Sequence, residues 1–131
     1  MITFSVTGTP APQGSKRHVG GGRMIEASKR LHPWRDLVIE AAQDQADLTD
    51  RLDGPVEVKL EFRIPSPKKP LHVLPISRRA GDIDKLSRAV LDGLTIGGII
   101  GDDSQVVVLK ASKIYVTDYP GVIITIREAG Q

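Results

Sequence analysis

Residues 56–64 constrain the fold most. Val56, Val58, Leu60, Phe62 and Ile64 alternate with Glu57, Lys59, Glu61 and Arg63 without a slip. Side chains of a strand point to opposite faces with a period of two, so this run is a strand with one face in a core and the other in water. An all-helical fold is thereby excluded. The following Pro65-Ser66-Pro67-Lys68-Lys69-Pro70 cannot continue it, because proline has no N–H for the ladder. A loop then runs to Ala80, and connections of that length in small domains are commonly functional or disordered. Beyond it Ile83, Leu86, Val90 and Leu94 recur at helical spacing and form a core stripe.

The rest of the chain adds elements of the same two kinds. Ile2, Phe4 and Val6 alternate with Thr3, Ser5 and Thr7, which predicts a half-buried strand. Met24-Ile25-Glu26 predicts a short one. Pro33 stands where a first helical residue is favoured, and Trp34, Leu37, Val38, Ala41, Ala42 and Leu48 follow at helical spacing, predicting a helix over 33–48 with Trp34 in the core. Gln105–Val116 and Val122–Arg127 read as two strands joined by a turn at Asp118-Tyr119-Pro120-Gly121. The order β-α-β-α-β-β in 131 residues is that of a single α+β domain with a mixed sheet and two main helices.

Several function classes are excluded or disfavoured. Without cysteine there is no disulfide framework and no thiolate zinc site, as befits a reducing compartment. Met1 to Val6 shows no basic stretch followed by a long apolar one, and runs such as Val122 to Ile124 are too short to span a bilayer. A soluble, cytoplasmic protein without a membrane partner is expected. The loop from Gly8 to Arg17 superficially resembles a phosphate-binding Walker loop, yet five residues separate Gly8 from Gly14 and Ser15 precedes Lys16. The Walker pattern requires four, then Gly-Lys-Ser/Thr, so no nucleotide cofactor is expected.

Charge is unevenly divided. Residues 1–35 carry a net +5, 36–62 a net −6, 63–80 a net +5 with no acidic residue, and 81–131 a net −2. Two basic loop regions, one holding Lys16, Arg17 and Arg23 and the other Lys68, Lys69, Arg78 and Arg79, therefore bracket an acidic segment. Such an arrangement suits a polyanion, although solvated surface charge gives the same count.

The second basic loop leads into Gly81-Asp82-Ile83-Asp84-Lys85, and a further acidic pair, Asp102-Asp103, precedes the strand at Gln105. Carboxylate oxygens are the donors that hard divalent cations such as Mg²⁺ prefer, with places left for water and phosphate. Aspartate also caps helices and shapes turns, so each pair has a structural reading beside the metal one. Arg88 likewise has two: a partner to Asp84 and Asp92, each four residues away, or a cation beside a metal-bound phosphate.

The runs Asp82-Ile83-Asp84-Lys85-Leu86 through Leu94 and Gly101-Asp102-Asp103-Ser104-Gln105-Val106-Val107 resemble the RusA family of Holliday junction resolvases. That family is marked by Asp-x-Asp-Asn/Lys-Leu opening a helix and Asp-Asp-x-Gln-Val opening a strand. Gly8, Pro10, Pro12, Gly14-Ser15-Lys16-Arg17 and Pro33-Trp34-Arg35 are similar to its phage-type members. The resemblance implies a Mg²⁺-dependent endonuclease, Mn²⁺ substituting, that acts as a homodimer on four-way DNA junctions in recombination and repair. It assigns Asp82, Asp84 and Asp103 as metal-binding carboxylates. It also sets Arg88 where the founding members have a catalytic lysine, and Lys85 where asparagine is frequent. Lys16, Arg17, Arg23, Lys68, Lys69, Arg78, Arg79 and Lys85 are the expected DNA contacts. The alternatives are a DNA-binding module without catalysis and a metal-dependent nuclease of forks or flaps.

Overall fold

A computed structural model describes residues 1–14, 16–18, 24–26 and 29–130, with the backbone alone for 16–18 and 24–26. It contains β1 (Ile2–Thr7), β2 (Lys16–His18), β3 (Met24–Glu26), α1 (Leu31–Ala46), β4 (Val56–Pro65), α2 (Ile83–Gly97), β5 (Val106–Val116) and β6 (Gly121–Glu128). The main elements follow the expected α+β order, and the short strand expected at Met24–Glu26 is present as β3, paired antiparallel with β2. Residues 16–18, read from sequence as loop, are the other strand of that pair. Their sequence, Lys-Arg-His, has no apolar alternation to announce it.

The sheet order is β1-β6-β4-β5. β4 runs parallel to β5 and antiparallel to β6, and β6 runs antiparallel to β1. A parallel pair needs a crossover, and α2 supplies it. The strands Val106–Val116 and Gly121–Glu128 are consecutive, as expected, but β4 lies between them in the sheet. The turn at 117–120 therefore steps over the end of β4 rather than closing a hairpin.

One face of the sheet is the core. Val56, Val58, Leu60 and Phe62 are fully buried, as are Ile124 and Ile126. Both helices cover this face, α1 contributing Trp34, Val38 and Ala42 and α2 Leu86, Val90 and Leu94. At about 1.5–3 kcal/mol per large apolar side chain, this face supplies the main drive to fold. Trp34 is core, as expected, at 1 % exposure. Three residues of the expected stripes are not: Leu48 lies past the helix end and is exposed, and Leu37 and Ile83 are partly so. The helices can approach closely because α2 presents Gly93 to Val38 and Gly97 to Ala42, where a side chain would collide. α2 ends at Gly98, whose φ of 91° suits glycine and whose N–H reaches the carbonyls of Leu94 and Thr95.

The crossover fixes the position of the acidic motifs. α2 starts at the end of the sheet where β4 stops, and β5 starts at the opposite end. The two acidic motifs therefore flank the two ends of α2.

Candidate active site

Asp82 occupies the N-cap position of α2 in extended backbone (φ −72°, ψ 140°), yet its side chain accepts no hydrogen bond from the helix amides. Its carboxylate instead lies 3.4 Å from Lys85 Nζ. A capping aspartate normally satisfies an orphan N–H and is worth about 1 kcal/mol, so this one forgoes its ordinary structural use. Asp84 is exposed in the first turn, with no hydrogen-bond or ion-pair partner among the described residues. Two carboxylates are thus presented to solvent at the positive end of a helix dipole.

Several contacts hold this helix start in place. Gly81 adopts φ 93°, and its carbonyl accepts from Lys113 Nζ at 2.9 Å. The first loop docks alongside, Gln13 N–H donating to the Lys85 carbonyl at 3.0 Å. Gly14, at φ 106°, then passes directly against the Arg88 guanidinium, where a β-carbon would collide. Strand β2 begins two residues later, so the backbone of Lys16 and Arg17 leaves from beside Arg88. Their side chains, and Arg23 entirely, lie outside the described residues.

Arg88 forms no ion pair with Asp84 or Asp92 among the described residues. Asp92 pairs instead with Arg35 at 3.2 Å, and the same guanidinium reaches Gln13 Oε1 at 3.1 Å. Arg35 thereby ties α1, α2 and the first loop together. The intrahelical use of Arg88 that its spacing allows is not realised, and its exposed guanidinium sits one turn beyond Asp84.

The second motif is built differently. Asp102 accepts from Ser104 N–H at 2.8 Å, and Gln105 Oε1 accepts from the N–H groups of Gly101 and Asp102, a reciprocal capping box. Hydrogen bonds from Ser104 hold the Asp102 carboxyl below its ordinary pKa. Gln105 Nε2 also donates to the carbonyls of Leu52 and Gly54. Asp102 and Gln105 thus shape the turn. Asp103, exposed in the same turn, accepts from Thr95 Oγ1 near the C-terminal end of α2.

That contact sets a distance. Thr95 lies eleven residues beyond Asp84 on one helix, about 16 Å of rise. Among the described residues no three acidic or histidine side chains come together as a metal cluster. One chain therefore carries Asp82 and Asp84 at the start of α2, with Lys85 and Arg88 in its first two turns, and holds Asp103 at the other end of the helix. The exposed pair fits a hard divalent ion, which for Mg²⁺ is commonly held by one or two carboxylates with water and phosphate completing the shell.

The basic segment 66–80 adjoins the pair. Lys68, Lys69, Arg78 and Arg79 are exposed on it. Its base is anchored by Ser66 N–H to the Val116 carbonyl, by Ala80 N–H to Ser77, and by Arg30 to the Arg79 carbonyl. A cleft of about 280 Å³ opens there between Thr9, Arg30, Ser66, Ser77, Arg79 and Tyr115. Local spacing cannot reveal Arg35, Gln13, Gly14 or Lys113 as supports of the site, because each acts on a residue distant in sequence. Among the described residues no helix is long and apolar enough to cross a membrane.

The comparisons with known proteins converge. Residues 6–127 match the family model described as endodeoxyribonuclease RusA. The chain is 31% identical over 131 residues to the crossover junction endodeoxyribonuclease RusA of Escherichia coli (strain K12), covering 99% of this chain and 98% of the relative. It is 32% identical over 132 residues to that of Shigella sonnei (strain Ss046), with the same coverage. The rusA protein of Enterobacteria phage 82, of the same description, is 30% identical over 132 residues, again at 99% and 98%. With the family model spanning nearly its whole length and these relatives matching it end to end, the chain belongs to the RusA family of endodeoxyribonucleases.

Proposed function

We propose that this chain is a Mg²⁺-dependent endodeoxyribonuclease that resolves four-way DNA junctions as a homodimer, serving recombination and repair in the cytoplasm of a bacterial or phage-infected cell. The observation that carries the proposal is the exposed Asp82–Asp84 pair at the start of α2, neither carboxylate spent on capping the helix, with Arg88 one turn on and a basic loop leading into it. Family membership supports the reaction and the branched substrate.

Asp82 and Asp84 would hold the ion, which when bound supplies an activated water and a charge clamp on the phosphoryl oxygens. Lys85 neutralises Asp82 until then. Arg88 faces outward from the next turn, where its guanidinium can bind two phosphoryl oxygens and stabilise the charge that develops there. Gly14 leaves room for that guanidinium, and Arg35 holds the loop that carries Gly14. Lys68, Lys69, Arg78 and Arg79 hold the backbone phosphates on either side.

The dimer would do more than double the sites. Asp103 cannot reach the Asp82–Asp84 pair of its own chain, so it can join such a pair only through a second copy. Strand β5 favours this arrangement. It is an eleven-residue edge strand whose outer side pairs with no other strand among the described residues, and Val107, Val108 and Leu109 are 59%, 39% and 43% exposed on it. The apolar run ends at Lys110, and such a run on a sheet edge is normally charged, bulged or covered. Two β5 edges pairing antiparallel about a two-fold axis would place the start of one strand beside the end of the other. The end of β5 is where α2 begins, as the bond from Lys113 to Gly81 shows. Asp103 of each copy would then approach the Asp82–Asp84 pair of the other.

Metal dependence tests the reaction. Cleavage of an end-labelled four-way junction is expected with Mg²⁺ or Mn²⁺. It should be poor with Ca²⁺, whose larger and looser shell positions a nucleophile badly. Full activity in excess chelator would exclude the metal role of the pair.

A further inference from the structure

The segment 66–80 carries an apolar run that neither folding nor phosphate binding uses. Leu71 is 95% exposed, Val73 90%, Ile76 67% and Leu74 55%, within six consecutive residues. Pro75 between them is buried, so the run is pinned at one point while its side chains stand in water. Single exposed apolar residues need no explanation, but four together on one loop do. They form no part of the core.

The neighbours of this run limit what can cover it. Lys68 and Lys69 precede it and Arg78 and Arg79 follow it, and no acidic residue occurs from Ile64 to Gly81. A partner must therefore be anionic at its edges and apolar between them. Nucleic acid meets that requirement only where base faces are accessible. In continuous duplex the bases are stacked and their faces hidden, whereas at a branch the stack is interrupted. Apolar side chains that enter such steps hold them apart, as they do in proteins that kink DNA. The loop ends at Gly81, immediately before the carboxylate pair, so a run seated at the branch would leave the adjoining backbone beside Asp82 and Asp84.

We propose that Leu71, Val73, Leu74 and Ile76 form a wedge that enters the branch point of DNA and contacts unstacked base faces, while the flanking cations hold the phosphates. The wedge makes the loop a sensor of branching rather than of charge alone. This rests on the reading that the chain acts on branched DNA, and it deepens that reading by naming what recognises the branch.

The test uses the full chain and a four-way junction with 2-aminopurine at the central base step, in the absence of divalent metal. Leu71→Ser, Val73→Ser and Leu74→Ser are combined, with all four cations retained. Because these side chains are exposed, the folded far-ultraviolet spectrum should be unchanged. Wild-type protein is expected to raise 2-aminopurine fluorescence several-fold, and the triple variant to lose that rise. Junction affinity should fall about ten-fold, with affinity for linear duplex and its salt dependence unaltered, since the phosphate contacts remain. An equal fluorescence rise with the variant would overturn the wedge. So would binding of the wild type, but not the variant, to vesicles containing phosphatidylserine with the 2-aminopurine response unaffected, since that result would assign the run to an anionic membrane. Cleavage of the same junction after Mg²⁺ is added reports separately on the nuclease reading. Absent wild-type cleavage with an intact fluorescence rise would end that reading and leave the wedge standing.

Discussion

Asp84→Asn is expected to stop cleavage while leaving DNA binding intact. The carboxylate is exposed in the first turn of α2 and has no partner among the described residues, so its loss breaks no contact of the fold. Asparagine preserves its size and is also well tolerated at helix starts. It removes the negative charge that a divalent ion requires, and with it a stabilisation of the reacting phosphate worth several kcal/mol. At 1.36 kcal/mol per factor of ten, the rate should fall at least about 100-fold. Junction affinity without metal should hold or rise, because the basic loops remain and one repulsive charge beside the phosphates is gone. A gel-shift and a cleavage assay on one folded preparation check both halves. Wild-type cleavage by the variant would remove Asp84 from the site.

A second large effect is expected from mixing two inactive proteins. Asp84→Asn and Asp103→Asn should each be inactive as homodimers. In a mixed dimer, one composite site would receive both substitutions and the other neither. Random pairing makes about half of the dimers mixed, each with one intact site. Co-expressed or co-refolded chains should therefore regain nicking of one junction strand. Sites contained within single chains would leave every site in the mixture defective, and no nicking would return. A charge at the proposed seam, Leu109→Glu, should abolish the recovery and shift the protein to monomer in light scattering.

Which parts of this were legible in the sequence follows from the range of each signal. The strand at Val56–Pro65 and the stripe Leu86, Val90 and Leu94 are local periodicities, and the fold realises them nearly residue for residue. Leu48 shares the helical spacing of the α1 stripe but lies beyond the helix end, where its phase buries nothing. The turn at 118–121 marks a reversal of the chain, yet a turn does not say which strands pair, and β4 occupies the place between. At the site, the Asp-x-Asp pair is local and was readable. Arg35 and Asp92 are 57 residues apart, and no spacing rule connects them. The separation of Asp103 from the pair was computable, because a helix running from Ile83 to Gly97 between the two motifs holds them far apart. What it implies about a second chain depends on strand order, which no local signal carries: β5 is the edge of the sheet, its outer side unpaired among the described residues.

The central claim, that this chain is a metal-dependent nuclease of branched DNA, is tested most directly by one substrate panel. End-labelled four-way junction, fork, linear duplex and single strand are incubated with the wild-type protein, with Mg²⁺ and with excess chelator. The account predicts cuts at symmetric positions on two strands of the junction with Mg²⁺, far slower cutting of duplex and single strand, and none with chelator. Equal cutting of linear duplex and junction, or junction cutting that persists in chelator, would contradict it.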